Sequence, residues 1–194
     1  MRILVLFAHP VETSFVAALH RRVVETLRAR GHEVDDLDLY AEKFDPVLSR
    51  ATLLDYLDVS KNRAEVLPYV ERVLAADALA LVFPVWFDGL PAILHGFFER
   101  VFLPGVSFKI DENNLFHPIL WNVKRLAAVC TYGESRRHIA LKGDPPRRFV
   151  KHNIGGVIAP GGRFDYLAHY DMNFTTAPQR ARFLQRVARA FRAW

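Results

Sequence analysis

Arg2-Ile3-Leu4-Val5-Leu6-Phe7-Ala8, followed at once by His9-Pro10-Val11-Glu12-Thr13-Ser14-Phe15, decides the fold. From Ile3 to Ala8 every side chain is apolar, the pattern of a parallel strand covered on both faces. The polar loop then sets Ser14 in front of Val16, Leu19, Val23 and Leu27, which share one helical face, and Gly31 closes the run. A buried strand that passes through a capped turn into an amphipathic helix is the first half of a strand-helix-strand unit.

The same alternation continues along the chain. Glu33 to Leu39 reads as a second strand. After a loop holding Asp45 and Pro46, Glu65 to Ala76 reads as a helix that leads to a third, wholly apolar strand, Ala78 to Phe83. From Leu90 the residues Ile93, Leu94, Phe97, Phe98, Val101 and Phe102 follow helical spacing, with Pro91 in the first turn, where its missing N–H is harmless. Arg125 to Thr131 gives a fourth strand, Arg163 to His169 a fifth, and Ala177 to Arg192 a closing helix. Right-handed crossovers then make an α/β fold with a doubly wound, five-stranded parallel sheet the expected architecture. Residues 133–162 are the least regular part, punctuated by Pro145-Pro146 and Gly161-Gly162.

Composition bounds what the chain can be. Its 194 residues, 51% hydrophobic and 24% charged, suit one globular domain over 1–194 and exclude intrinsic disorder. No segment reaches the roughly 18 apolar residues of a membrane span, and with a strand-like run directly after Met1 no secretory signal is expected. Cys130, the single cysteine, lies in the apolar run Leu126 to Cys130 and reads as a small core residue, so a reducing cytoplasm is expected. The eight histidines show no HExxH-type spacing, and no metal site is expected. Much of the formal charge of +5 is local, in Arg180, Arg182, Arg186, Arg189 and Arg192 and again in Arg136, Arg137, Arg147, Arg148 and Lys151. Solvated faces are the ordinary reading, because the interleaved aromatics and reading motifs of a nucleic-acid surface are missing. A basic mouth that attracts a phosphorylated cofactor lies between the two.

In an open parallel sheet, ligands bind beyond the carboxyl ends of the strands where strand order reverses. That rule selects three loops: 9–15, 84–89 and 131–135. The first offers hydroxyls and a helix N-terminus, which suit a phosphate, and His9 can donate to the same anion; a plain helix cap would look alike. It lacks the glycines of a dinucleotide turn or a P-loop. The strand ends also lack the acidic residues of a receiver domain. In the second loop Trp86 and Phe87 stand between Pro84 and Gly89-Leu90-Pro91, a flat apolar wall suited to a planar heterocycle rather than to the core.

Ala8-His9-Pro10 with Thr13-Ser14-Phe15, Asp38-Leu39-Tyr40 with Phe44-Asp45-Pro46, and Phe83-Pro84-Val85-Trp86-Phe87 through Leu90-Pro91-Ala92-Ile93-Leu94 with Glu99-Arg100-Val101-Phe102 resemble the NAD(P)H:quinone oxidoreductases. That family includes bacterial quinone reductases and the ancillary subunits of potassium efflux systems, and the resemblance covers roughly residues 1–133. It implies a flavodoxin-like fold and a bound flavin, FAD or FMN. His9, Thr13, Ser14 and Phe15 would take the flavin phosphate, Pro84, Val85, Trp86 and Phe87 would support the ring, and Thr131, Tyr132 and Gly133 would close over its pyrimidine end. Phe108 falls where the family places an aromatic that reaches into the partner subunit's site, which implies a homodimer with shared substrate pockets. The Tyr and His that assist hydride transfer in mammalian members have no evident counterparts after Gly133, and Tyr132 and His138 stand as the nearest candidates. The implied activity is ping-pong hydride transfer from NAD(P)H through flavin to a quinone. The alternative is a flavin-binding regulatory subunit of a membrane transporter, a peripheral partner with weak reductase activity.

Overall fold

The computed structural model describes all 194 residues. In chain order its elements are β1 (Arg2–Phe7), α1 (Phe15–Ala29), β2 (Glu33–Asp38), α2 (Arg50–Leu54), α3 (Leu67–Ala75), β3 (Ala78–Pro84), α4 (Ala92–Val101), β4 (Phe108–Ile110), β5 (Phe116–Pro118), β6 (Arg125–Thr131), α5 (Arg136–Leu141), α6 (Pro145–Arg148), β7 (Arg163–His169) and α7 (Ala177–Phe191). Five strands form one parallel sheet in the order β2-β1-β3-β6-β7, so strand order reverses between β1 and β3. This is the doubly wound architecture that the alternation of strands and helices implied.

Side-chain alternation along the strands sorts the core into two layers. Leu4, Leu6, Leu79, Leu81, Leu126 and Ala128 face one side of the sheet, where they pack with Val70 and Val73 of α3 and Leu94 and Phe97 of α4. Ile3, Val5, Ala80, Val82, Ala127 and Val129 face the other side and meet Leu19 and Val23 of α1 and Val187 and Phe191 of α7. Each fully buried Leu, Val or Phe is worth about 1.5–3 kcal/mol relative to exposure, so this continuous two-sided burial holds the strand ends in register. Cys130 is fully buried in the first layer, and burial pushes its thiol up to about 12.

Three stretches differ from their sequence reading. Within residues 133–162, the least regular part, 136–141 and 145–154 are helical: capping side chains at Ser135 and Asp144 start α5 and α6, and α6 runs into a π-helical turn, Phe149–Ile154, all too short for hydrophobic periodicity to reveal. The helix expected from Glu65 opens with a 3₁₀ turn, Ala64–Val66, and becomes α3 only at Leu67, with Pro68 in its first turn. An antiparallel hairpin, β4 with β5, lies outside the main sheet and stacks Phe108 on Phe116 at 4.7 Å. Phe97 and Phe98 of α4 are core residues, and Phe97 is 0% exposed, so this helix does not offer them to an interface.

Candidate active site

The carboxyl ends of β1, β3 and β6 converge on a cleft of about 350 Å³ at the point where strand order reverses. The loop after β1 brings His9, Ser14, Phe15 and Val16 to it. Ser14 caps α1: its Oγ accepts from Ala17 N at 3.1 Å. The backbone N–H groups of Phe15 and Val16 have no acceptor within the chain, so two donors at the positive end of a fifteen-residue helix open onto the cleft. Val11 N donates to His9 Nδ1 at 3.0 Å, which fixes the neutral ring with its proton on Nε2 and leaves that N–H to donate. Burial holds the His9 imidazole below its ordinary value, favouring this neutral form. Thr13 is exposed and does not line the cleft.

The loop after β3 supplies the second wall. Val85 N donates to Thr131 O at 2.8 Å, tying this loop to the end of β6. Trp86 and Gly89 then exchange two backbone hydrogen bonds around a tight turn, with Phe87 and Asp88 both left-handed at φ 50° and 57°. Pro84, Val85 and Trp86 line the cleft, and Trp86 lies 5.8 Å from the His9 ring. Phe87 is fully exposed and lines two adjoining spaces instead. One, about 370 Å³, shares Val85 and Gly133 with the cleft and is crossed by Lys142, whose Nζ bridges Asp88 at 2.9 Å and Glu134 at 2.7 Å. The other is a shallow groove of about 880 Å³ between Pro46-Val47-Leu48 and the start of α4, and it shares Trp86 with the cleft.

From the third loop, Thr131 and Gly133 line the cleft. Tyr132 borders the adjoining space, but its side chain is 1% exposed and its hydroxyl is engaged by Asp144 and Tyr166. Burial drives its phenol well above the ordinary value, so the hydroxyl keeps its proton. His138 Nδ1 lies 2.9 Å from the Glu134 carboxylate, and His138 lines neither the cleft nor the spaces beside it. Phe108 sits on the β4–β5 hairpin, also away from them. Met172 and Asn173 were missed and complete the cleft, in a 3₁₀ turn after β7 held by Met172 N donating to Tyr132 O at 2.9 Å. The rule that selected the other loops points to this one too, since β7 is parallel to β6 and ends beside it.

The donor set fits a phosphorylated planar cofactor: unpaired amides and a neutral histidine at a helix N-terminus, then a flat apolar wall, then small residues where a ring edge would pass. With its reversal point between β1 and β3, the architecture defines a doubly wound α/β protein with its ligand site at a topological switch point. The chain belongs to the flavodoxin-like fold family, whose model matches residues 1–154. It is similar to NAD(P)H dehydrogenase (quinone) 1 of Cavia porcellus, 34% identical over 158 residues that cover 73% of this chain and 57% of that protein. It is also similar to the NAD(P)H oxidoreductase YcaK of Escherichia coli, 32% identical over 125 residues, 62% of each chain. The matches thus span about half to three-fifths of the length of these relatives. Among solved structures, NAD(P)H:quinone oxidoreductase from Methanothermobacter marburgensis superposes with a TM-score of 0.83 at 25% identity, over 99% of this chain and 98% of that one. No helix is long and apolar enough to cross a membrane.

Proposed function

We propose that the chain is a flavin-dependent NAD(P)H:quinone oxidoreductase that works as one flavin-binding domain over residues 1–194 in the cytoplasm. The observation that carries this reading is the pair of unpaired amides, Phe15 and Val16 N–H, beside the neutral His9 and opposite the Trp86 wall. The names of the relatives support the choice of donor and acceptor. When bound, a flavin, FAD or FMN, would supply the redox chemistry that passes hydride from NAD(P)H to a quinone, with ping-pong order.

The chain's own residues do the rest. Phe15 and Val16 N–H and His9 Nε2–H would hold the flavin phosphate in the field of the α1 dipole. Pro84, Val85 and Trp86 would support the ring, and Thr131 and Gly133 would close over its end. The apolar groove beside Trp86 and Phe87 suits a quinone-type acceptor. Neither Tyr132 nor His138 has a free proton-donating atom in the cleft, so no side chain is assigned to proton delivery. The test is the absorption spectrum and released-cofactor mass of the purified protein, alone and after addition of FMN or FAD. A yellow protein that oxidises NAD(P)H with a quinone present is expected, and failure to bind either flavin at micromolar concentration overturns the reading.

A further inference from the structure

We propose that the basic cleft between α5, α6 and the π-helical turn is a second ligand site, for a small molecule carrying clustered phosphate charge. The cleft encloses about 390 Å³ and shares no residue with the three spaces around the aromatic loop. Arg136, Arg147, Arg148 and Lys151 line it, with His152 and Tyr170 beside them. None of the four cations has a carboxylate partner, whereas Arg72 and Arg100 elsewhere are each paired at 2.6–2.7 Å. The one carboxylate in the lining, Asp144, accepts from the Tyr132 hydroxyl at 2.6 Å and from Arg147 N at 3.4 Å, and its single negative charge leaves the lining with an excess of positive charge. Four like charges held around one concavity repel, and a polyanion relieves that repulsion.

The backbone is built to hold them there. Asp144 is left-handed at φ 49°, a costly conformation for a residue other than glycine, and Pro145-Pro146 fix the first turn of α6. The chain then winds into the π-helical turn, where Gly155 N donates to Val150 O, five residues back, at 2.9 Å. A Cβ on Gly155 would come within 2.3 Å of Lys151 O, and one on Gly156 within 2.3 Å of His152 O, so the two glycines permit the winding that sets Lys151 and His152 in the lining. Such turns recur at functional sites. Three guanidinium forks match phosphate oxygens bidentately, and the excess of positive charge in the lining calls for more than one anionic group, as a polyphosphate supplies. A concavity of this volume takes a mononucleotide or a pyrophosphate rather than a polymer.

The site is tested by titration calorimetry of the whole protein at low salt with inorganic pyrophosphate and with adenosine 2′,5′-bisphosphate, the phosphate-bearing end of NADPH. Submillimolar binding is expected for at least one of the two. The Arg136→Gln/Lys151→Gln variant, which removes two side chains that make no hydrogen bond, should bind at least tenfold more weakly. His9→Gln, which alters the other phosphate loop, should bind like the parent. Tighter binding of the bisphosphate assigns the site to a nucleotide, and tighter binding of pyrophosphate to an inorganic or small organic polyphosphate. Absence of binding up to about 10 mM, equal affinity in parent and double variant, or a loss in His9→Gln instead overturns the proposal. No flavin or turnover enters the measurement, so its failure leaves the oxidoreductase reading standing.

Discussion

The Tyr132 hydroxyl donates to Asp144 Oδ1 at 2.6 Å, so the loop after β6 is pinned to the N-cap of α6. The Tyr166 hydroxyl lies 2.5 Å from the Tyr132 hydroxyl oxygen and, with the Tyr132 proton committed to Asp144, is the donor there. Tyr132→Phe leaves both groups without that oxygen in a largely buried setting and should cost about 1–3 kcal/mol. Urea denaturation should show the loss as a lower midpoint. Flavin affinity should change little, because the hydroxyl is engaged outside the cleft; loss of flavin without loss of stability would contradict the placement.

Replacing His9 and Ser14 together with alanine removes the Nε2–H donor and the cap of α1. Each charge-assisted hydrogen bond to a phosphate is worth about 1.5–3 kcal/mol, so flavin affinity should fall at least tenfold. Ser14→Ala alone should lower stability by about 0.5–2 kcal/mol through the lost cap. Equilibrium dialysis of the double variant against flavin checks the first expectation and chemical denaturation the second. Full occupancy of the double variant on dilution would remove these residues from the site.

The pH response of the flavin-free protein follows from His9. Burial puts its folded-state value below the unfolded one, so the unfolded chain binds more protons in the window between them. The resulting stability is present above the unfolded value and is lost as pH falls through the folded one. Between about pH 7 and pH 5 the parent should therefore lose more stability than His9→Gln does. A phosphate beside the ring favours the imidazolium, so bound flavin should flatten the same acid loss. Parallel curves for parent and variant would show that His9 is not desolvated.

The sheet was legible because each central strand is an unbroken apolar run, Ile3 to Ala8 and Ala78 to Phe83, and because Ser14 and Gly31 mark both ends of α1. The cleft was legible to the same extent, since strand ends name its loops. Hidden elements were those whose signal is not periodic. The helices α5 and α6 are six and four residues long and are declared only by Ser135 and Asp144. Met172 and Asn173 follow a strand whose half-buried pattern blurs where it stops. The setting separated two aromatics: Phe87, in a loop between Pro84 and Gly89-Leu90-Pro91, is bare, while Phe97, on the apolar face of α4, is buried.

With Phe97 and Phe98 in the core, a dimer must use other surfaces. Ile110, Leu115, Phe116 and Trp121 are exposed on and beside the β4–β5 hairpin, where Phe108 stacks on Phe116. We expect a homodimer with this hairpin at its interface, and Phe116→Asp should shift it to monomer in sedimentation at unchanged fold. A parent protein that is monomeric at every concentration while retaining flavin would rule out shared sites.

Phe87 and Trp86 should fail in different ways. The left-handed conformation at Phe87 costs about 1–2 kcal/mol for a residue other than glycine, and its ring, fully exposed, recovers none of that inside the chain. Strain retained without internal gain points to a contact made with something outside, and the groove that Phe87 borders is where an acceptor would lie. Phe87→Gly should thus raise stability by on the order of 1 kcal/mol while raising the KM for quinone. Trp86 is 42% exposed and lines both the cleft and the groove, so Trp86→Ala should lower turnover per bound flavin more than it lowers flavin retention. Steady-state kinetics at saturating flavin separates the two. If Trp86→Ala turns over NAD(P)H and quinone at the parent rate, the aromatic wall does not position the reactants, and an unchanged quinone KM in Phe87→Gly would remove the groove from the acceptor's path.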